Sequence, residues 1–207
     1  MMTRMRFVTS ALSFSNTLKT KNVIVIYNNC VDFIQILKIL IQEFEQRKIP
    51  YALIGAVALG FTGIVRDTQD VDFAVARDFA SAARSIMESL GYSVRQHSEG
   101  FAQFGHSLRV FGDVDFVYLS EKTTHEMIDN AMACQIADAT LVVKVARPED
   151  IFILKMVAIR NNPKRTDRDL PDLKSIAKLH SPKMNWNRIG EYAKLLDMEA
   201  IIDEIRG

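Results

Sequence analysis

The sequence predicts an α+β (mixed α/β) protein, with a mixed, mainly antiparallel sheet flanked by helices and a C-terminal helical part. Three observations carry that reading. Stretches whose apolar residues recur every three or four positions, as in a helix, are interleaved with stretches of period two, as in a strand. Three strand-like runs, from Tyr92 to Leu119, follow one another across short glycine-containing breaks, the pattern of an antiparallel meander. Beyond about Arg147 every signal is helical.

Taken in order, Ile34, Leu37, Ile41 and Phe44 mark an amphipathic helix that starts at Val31-Asp32-Phe33 and is ended by Pro50. Tyr51 to Ile54 is a short apolar strand closed by Gly55, where small residues turn straight into a helix. Asp70 to Ala76 alternates in its first half, with Asp70 and Asp72 on one face and Val71, Phe73 and Val75 on the other. Asp78 reads as the N-cap of a helix running to Leu90, with Gly91 as its stop. The meander strands are Tyr92–His97, Ala102–Phe111 and Asp113–Leu119. A helix from Glu121 to about Gln135, a β-branched strand from Thr140 to Val145, and a helix from Pro148 to Arg160 follow. Asn161-Asn162-Pro163 breaks the chain, and helices over about 167–179, 186–196 and 199–205 complete it. The expected domains are an N-terminal extension (1–30), a core (31–146) and a C-terminal helical part (147–207).

Composition narrows the function. With 207 residues, 48% of them hydrophobic, the chain has the makings of a real core and is no disulfide miniature. Its 26 basic against 25 acidic residues exclude binding of nucleic acid by a bulk positive field, so any such affinity must be local. Cys30 and Cys134 have no metal-ligand spacing, and the four histidines have none either. The acid-free, basic start of the chain loosely resembles a targeting peptide but has no clear cleavage site, so a poorly ordered or strand-forming extension is expected. No apolar run reaches the ~18 residues of a membrane span. The expectation is a cytoplasmic protein with reduced thiols and no membrane partner.

The chemistry concentrates in Leu53-Ile54-Gly55-Ala56 and Arg66-Asp67-Thr68-Gln69-Asp70-Val71-Asp72. Two carboxylates two apart on a strand share a face, with Cα atoms about 6.5 Å apart, close enough to share a divalent cation. Without one they repel, which raises at least one pKa. Mg²⁺ is the simplest counter-charge, because it takes oxygen ligands and completes its shell with water and phosphate. Asp113 and Asp115 repeat the alternation later; if the two strands are neighbours, Asp115 completes a three-carboxylate site, while Asp113 reads as a turn residue after Gly112. Gly55, lacking Cβ, lets backbone N–H groups approach an anion at a helix start. Metal at one end and phosphate at the other define a triphosphate site. Neither G-x-x-x-x-G-K-[ST] nor G-x-G-x-x-G occurs.

Blander readings stand beside these. The aspartates could line a solvated strand edge, Arg66 could pair with Asp67 rather than with phosphate, and Lys155 could be a snorkelling lysine on a core helix. Asp169 and Asp172, three apart on one helical face, read as acids favouring a helix dipole. Lys164, Arg165 and Arg168 read as a solvated loop.

Gly55-Ala56, Asp70-Val71-Asp72 and Asp115 together resemble the three-part signature of the DNA polymerase beta-type nucleotidyltransferase superfamily. Tyr51 to Val75 resembles its small stand-alone prokaryotic members, including AbiEii-type toxins. Arg147-Pro148-Glu149-Asp150, Lys155, Arg160 and Arg168 through Leu173 resemble their downstream helical motif. The likeness implies the nucleotidyltransferase fold and transfer of a nucleoside monophosphate from an NTP to a hydroxyl of tRNA, a protein or a small molecule, with an antitoxin as a further partner. It implies Asp70, Asp72 and Asp115 as catalytic ligands of Mg²⁺ or Mn²⁺. The implied nucleotide-binding set is Gly55, Ala56, Arg66, Thr68 and Lys155. Ala56 departs from the motif, where Gly or Ser is usual, and the alternative is a catalytically silent relative that binds nucleotide or a partner protein.

Overall fold

The computed structural model describes residues 6–8, 25–27, 31–136 and 141–206, which divide into two compact units, Met1–Ala146 and Arg147–Gly207. Within the expected 1–30 extension only β1 (Arg6–Val8) and β2 (Val25–Tyr27) are described, paired antiparallel. The remainder of that segment, Cys30 included, lies outside the described residues.

In the first unit α1 (Phe33–Gln46) opens where the Asp32 side chain accepts the Gln35 N–H at 3.0 Å, and it buries Phe33, Ile36, Leu37, Leu40, Ile41 and Phe44. Then come β3 (Tyr51–Ile54), the short helix α2 (Gly55–Phe61) and β4 (Asp70–Ala76). Asp78 falls inside a 3₁₀ turn over Arg77–Phe79, and α3 (Ala80–Ser89) begins after it without a side-chain cap, which corrects the expected N-cap. Gly91, at φ +84°, ends that segment as expected. The meander is β5 (Ser93–Ser98), β6 (Phe101–Gly105) and β7 (Asp113–Leu119). The middle strand is shorter than expected, since the chain leaves it at Gly105 and enters a 3₁₀ turn at Arg109–Phe111.

After α4 (Glu121–Ile128) the structure departs from the sequence reading again: Met132–Ile136 is not the end of the helix but a strand, β8, paired antiparallel with β9 (Leu141–Val145). Met, Ala and Gln are good helix formers locally; partnership with a strand that follows in the chain overrides that preference.

The seven strands lie in the order β5-β6-β7-β4-β3-β9-β8. Pairing is antiparallel except at β4–β7 and β3–β9. The parallel pair β4–β7 matters most, because its register sets Phe73 beside Phe116 on one face and Asp72 beside Asp115 on the other. The two phenyl rings stack with centroids 6.1 Å apart, and Phe44 of α1 meets both, at 5.3 and 6.1 Å. All three are fully buried, each contributing about 1.5–3 kcal/mol of apolar burial. With a side-chain period of two, that apolar anchoring leaves the aspartates only the opposite face.

The second unit holds α5 (Pro148–Asn161), α6 (Thr166–His180), α7 (Trp186–Leu195) and α8 (Glu199–Arg206). Pro148 sits in the first turn of α5, where its missing N–H costs nothing. Among the described residues no helix is long and apolar enough to cross a membrane.

Candidate metal centre and its surroundings

Strands β4 and β7 bring the three sequence-predicted aspartates together. Asp72 and Asp115 are register partners, Asp70 is one strand row away, and one carboxylate oxygen from each of the three lies within 4.8 Å of the others. All three are half-buried. Two like charges 4.8 Å apart repel by about 3 kcal/mol at an effective dielectric near 20, so three converging carboxylates form a cation-accepting set. Oxygen-only donors in a partly open position suit Mg²⁺ or Mn²⁺ rather than a soft metal.

Neighbouring groups orient these ligands. The Thr68 hydroxyl bonds Asp70 Oδ1, and the backbone N–H of Asp70 reaches back to Thr68 Oγ1 at 3.3 Å. Gln103 of β6, the cross-strand partner of Asp115, directs its Nε2 at Asp115 Oδ2 from 3.5 Å. Gln103 was not among the residues singled out from the sequence; its place follows only from register.

Gly55 meets two demands at once. Its φ is +68°, a region that L side chains rarely adopt, and a Cβ built there would stand 1.9 Å from Asp72 Oδ2 and 2.4 Å from Asp72 Cγ. The backbone therefore touches one carboxylate of the cation-accepting set. Ala56 is buried, with 6% of its surface exposed, so its side chain belongs to the core. Arg66 is half-buried in the segment between α2 and β4, close in sequence to Thr68.

Asp113, expected in a turn, is the first residue of β7, in register with Asp70 and ion-paired with Arg95 of β5. Gly112 before it has φ +56°, and a Cβ there would come 2.7 Å from the Gln69 carbonyl oxygen, so glycine is needed where β7 enters alongside β4.

In the second unit Lys155 is buried rather than snorkelling. Its Nζ donates to Asp169 Oδ1 at 3.0 Å and Asp172 Oδ2 at 2.6 Å, and Arg165 Nε donates to Asp169 Oδ2 at 2.7 Å. Asp169 and Asp172 do share a helical face, with Asp169 in the first turn of α6 as the dipole reading expects, and both are buried in this cluster. Burial pushes the Asp169 carboxyl up, yet Lys155 and Arg165 outweigh it and hold the group below its ordinary value. Arg188 pairs with the fully buried Asp150, which burial pushes above the usual carboxylate range. Burial likewise pushes the Cys134 thiol up, away from nucleophilic character.

No family model and no curated protein sequence matches the chain. Solved structures do. The antibiotic-resistance factor ANT(2'')-Ia, in its solution structure, is similar at a TM-score of 0.55 and 14% identity, covering 83% of this chain and 91% of its own. The Megavirus polyadenylate synthase is similar at 0.50 and 14% identity, over 71% of this chain and 31% of its own. The lincomycin-bound lincosamide antibiotic adenylyltransferase LnuA matches at 0.48 and 15% identity, over 73% of this chain and 99% of its own. The likeness to the first two, at these identities, speaks for architecture alone, and the chain has the nucleotidyltransferase fold.

Proposed function

We propose that this protein is a divalent-metal-dependent nucleotidyltransferase that moves a nucleoside monophosphate from an NTP to a hydroxyl, releasing pyrophosphate. The observation that carries the reading is the meeting of Asp70, Asp72 and Asp115 within 4.8 Å on adjacent strands. Asp70 and Asp72 would hold Mg²⁺ or Mn²⁺, and Asp115 would share a metal and accept the proton of the attacking hydroxyl. Bound divalent ions supply neutralisation of charge on the attacking and leaving oxygens. Gly55, lying against Asp72, would let the backbone approach the triphosphate. Arg66 adds a cation from the adjoining segment, and Thr68 acts through Asp70, whose carboxylate its hydroxyl already orients. Lys155 keeps its place in the nucleotide-binding set on the sequence resemblance alone.

The finer assignments are an acceptor hydroxyl on tRNA, a protein or a small molecule and a toxin role with an antitoxin partner, which rest on the sequence resemblance, and a cytoplasmic setting, which rests on the two cysteines read as reduced thiols. Ala56 favours one second reading, a silent relative that binds nucleotide without transferring it. Incubation with each α-³²P-labelled NTP, Mg²⁺ or Mn²⁺, and total tRNA or the protein itself tests both. Label transferred by the parent and lost in Asp72→Ala supports the enzyme; nucleotide bound but transferred to nothing supports the silent relative.

A further inference from the structure

We infer that Arg95 is an acceptor-binding residue that holds a backbone phosphate of an RNA acceptor beside the aspartate triad. The inference rests on the nucleotidyltransferase reading and names the acceptor class for the same site.

Three features converge on this side chain. The register of β5 against β6 runs Val94↔Phe104 and then Gln96↔Gln103, so Arg95 is the extra residue of a β-bulge. Bulges re-aim a side chain and bend the strand that carries them. Secondly, β6 has glycine where Arg95 crosses it: a Cβ on Gly105 would stand 1.9 Å from Arg95 Nε and 2.4 Å from its Cζ. Glycine inside a strand commonly marks such a close approach. Thirdly, the guanidinium spans β6 to pair with Asp113 Oδ2 on β7. Asp113 and Asp115 are two apart on one strand and therefore on one face, about 6.5 Å along the chain. A bulge, a missing Cβ and an ion pair thus lay one cation flat across the sheet, in the row of Asp70 and one row from Asp72 and Asp115.

A surface ion pair by itself is worth little, about 0–1 kcal/mol, so fold stability gives a weak reason for this construction. The guanidinium remains half exposed, at 50%, and one carboxylate oxygen engages only part of its five-donor fork. Planar forks of this kind suit phosphate. Position selects the acceptor over the NTP. Gly55, the proposed triphosphate neighbour, approaches Asp72 from the β3 side, whereas Arg95 comes from β5 and β6 on the other side of the triad. A hydroxyl at Asp115 with an anion one row away matches a nucleotide's 3′ hydroxyl and its adjoining phosphate. Because net charge is only +1, local contacts of this kind must supply the affinity.

The test is fluorescence anisotropy with a labelled single-stranded RNA bearing a free 3′ hydroxyl, across a salt series, with Mg²⁺–NTP binding measured in parallel by calorimetry. Arg95→Ala is expected to weaken RNA binding about tenfold and flatten the salt dependence by about 0.7 in logarithmic slope, the share of one phosphate contact on a single strand. Arg95→Lys should recover part of the affinity. Gly105→Ala, which displaces only the far end of a flexible side chain, should fold normally and lose RNA affinity in step with Arg95→Ala. Mg²⁺–NTP binding should stay at the parental value in all three. RNA affinity unchanged in Arg95→Ala overturns the inference, as does a parent that binds Mg²⁺–NTP but labels a protein or small molecule and ignores RNA. Failure of the parent to bind Mg²⁺–NTP at all overturns the underlying nucleotidyltransferase reading instead.

Discussion

Replacing Gly55 by alanine is the sharpest test of how the backbone and the metal site are joined. Two costs can be separated. The left-handed φ of +68° costs a side-chain-bearing residue about 1–2 kcal/mol. The new Cβ would also stand 1.9 Å from Asp72 Oδ2 and 2.8 Å from Asp72 Cβ, so Asp72 or the α2 backbone must move, and overpacking of this kind costs about 1–3 kcal/mol. Gly55→Ala should therefore lose about 2–5 kcal/mol in urea or guanidinium unfolding and lose its metal affinity as Asp72 is displaced. Asp72→Gly removes every side-chain atom in the collision. In that background Gly55→Ala should cost only the backbone part, about 1–2 kcal/mol, and the double-mutant cycle should return a coupling of about 1–3 kcal/mol. A Gly55→Ala protein with parental stability and undiminished Mn²⁺ binding would refute the argument, as would a coupling near zero.

Two other perturbations act on charge. Asp115→Asn relieves part of the repulsion among three carboxylates, so it should unfold at higher denaturant than the parent in EDTA and at lower denaturant than the parent in saturating Mg²⁺; the same ranking in both buffers contradicts a metal site. Lys155→Met removes the cation that the buried Asp169 and Asp172 share, leaving Asp169 its pair with Arg165, and should cost about 3–5 kcal/mol at neutral pH, read from the shift in unfolding midpoint. Because Asp169 is held below its ordinary value in the folded state, its contribution is present above the unfolded carboxylate range and is lost as pH falls through and below that range. The parent should accordingly lose stability on acidification more steeply than Lys155→Met, and parallel pH profiles would show that the lysine does not hold the acid ionised.

Much of the site could be read from two strands. Alternation in Asp70-Val71-Asp72-Phe73 and in Asp113-Val114-Asp115-Phe116 assigns the aspartates to one face and the phenylalanines to the other, and burial of Phe73 and Phe116 enforces it. Strand neighbourhood was the missing step, since β4 and β7 meet only after α3, β5 and β6 have intervened. What stayed illegible was non-local in the same way. Met132–Ile136 has a helix-compatible composition and becomes a strand because β9 offers a partner. Lys155, Asp169 and Asp172 look solvent-seeking one by one, and only the packing of α5 with α6 shows that they neutralise one another. Arg95 carries no local signal of its role, because a bulge is a property of two strands in register; Gly105 within a strand-like run was the one hint.

Everything functional depends on three carboxylates sharing divalent metal. Electron paramagnetic resonance of Mn²⁺ titrated into the protein measures that directly, since bound ion leaves the free-ion spectrum. The account predicts saturable uptake by the parent, competed by Mg²⁺, and at least tenfold weaker uptake by Asp70→Ala, Asp72→Ala and Asp115→Ala alike. A parent that leaves the free Mn²⁺ signal undiminished, with or without NTP, or a loss of uptake confined to one of the three variants, would contradict it.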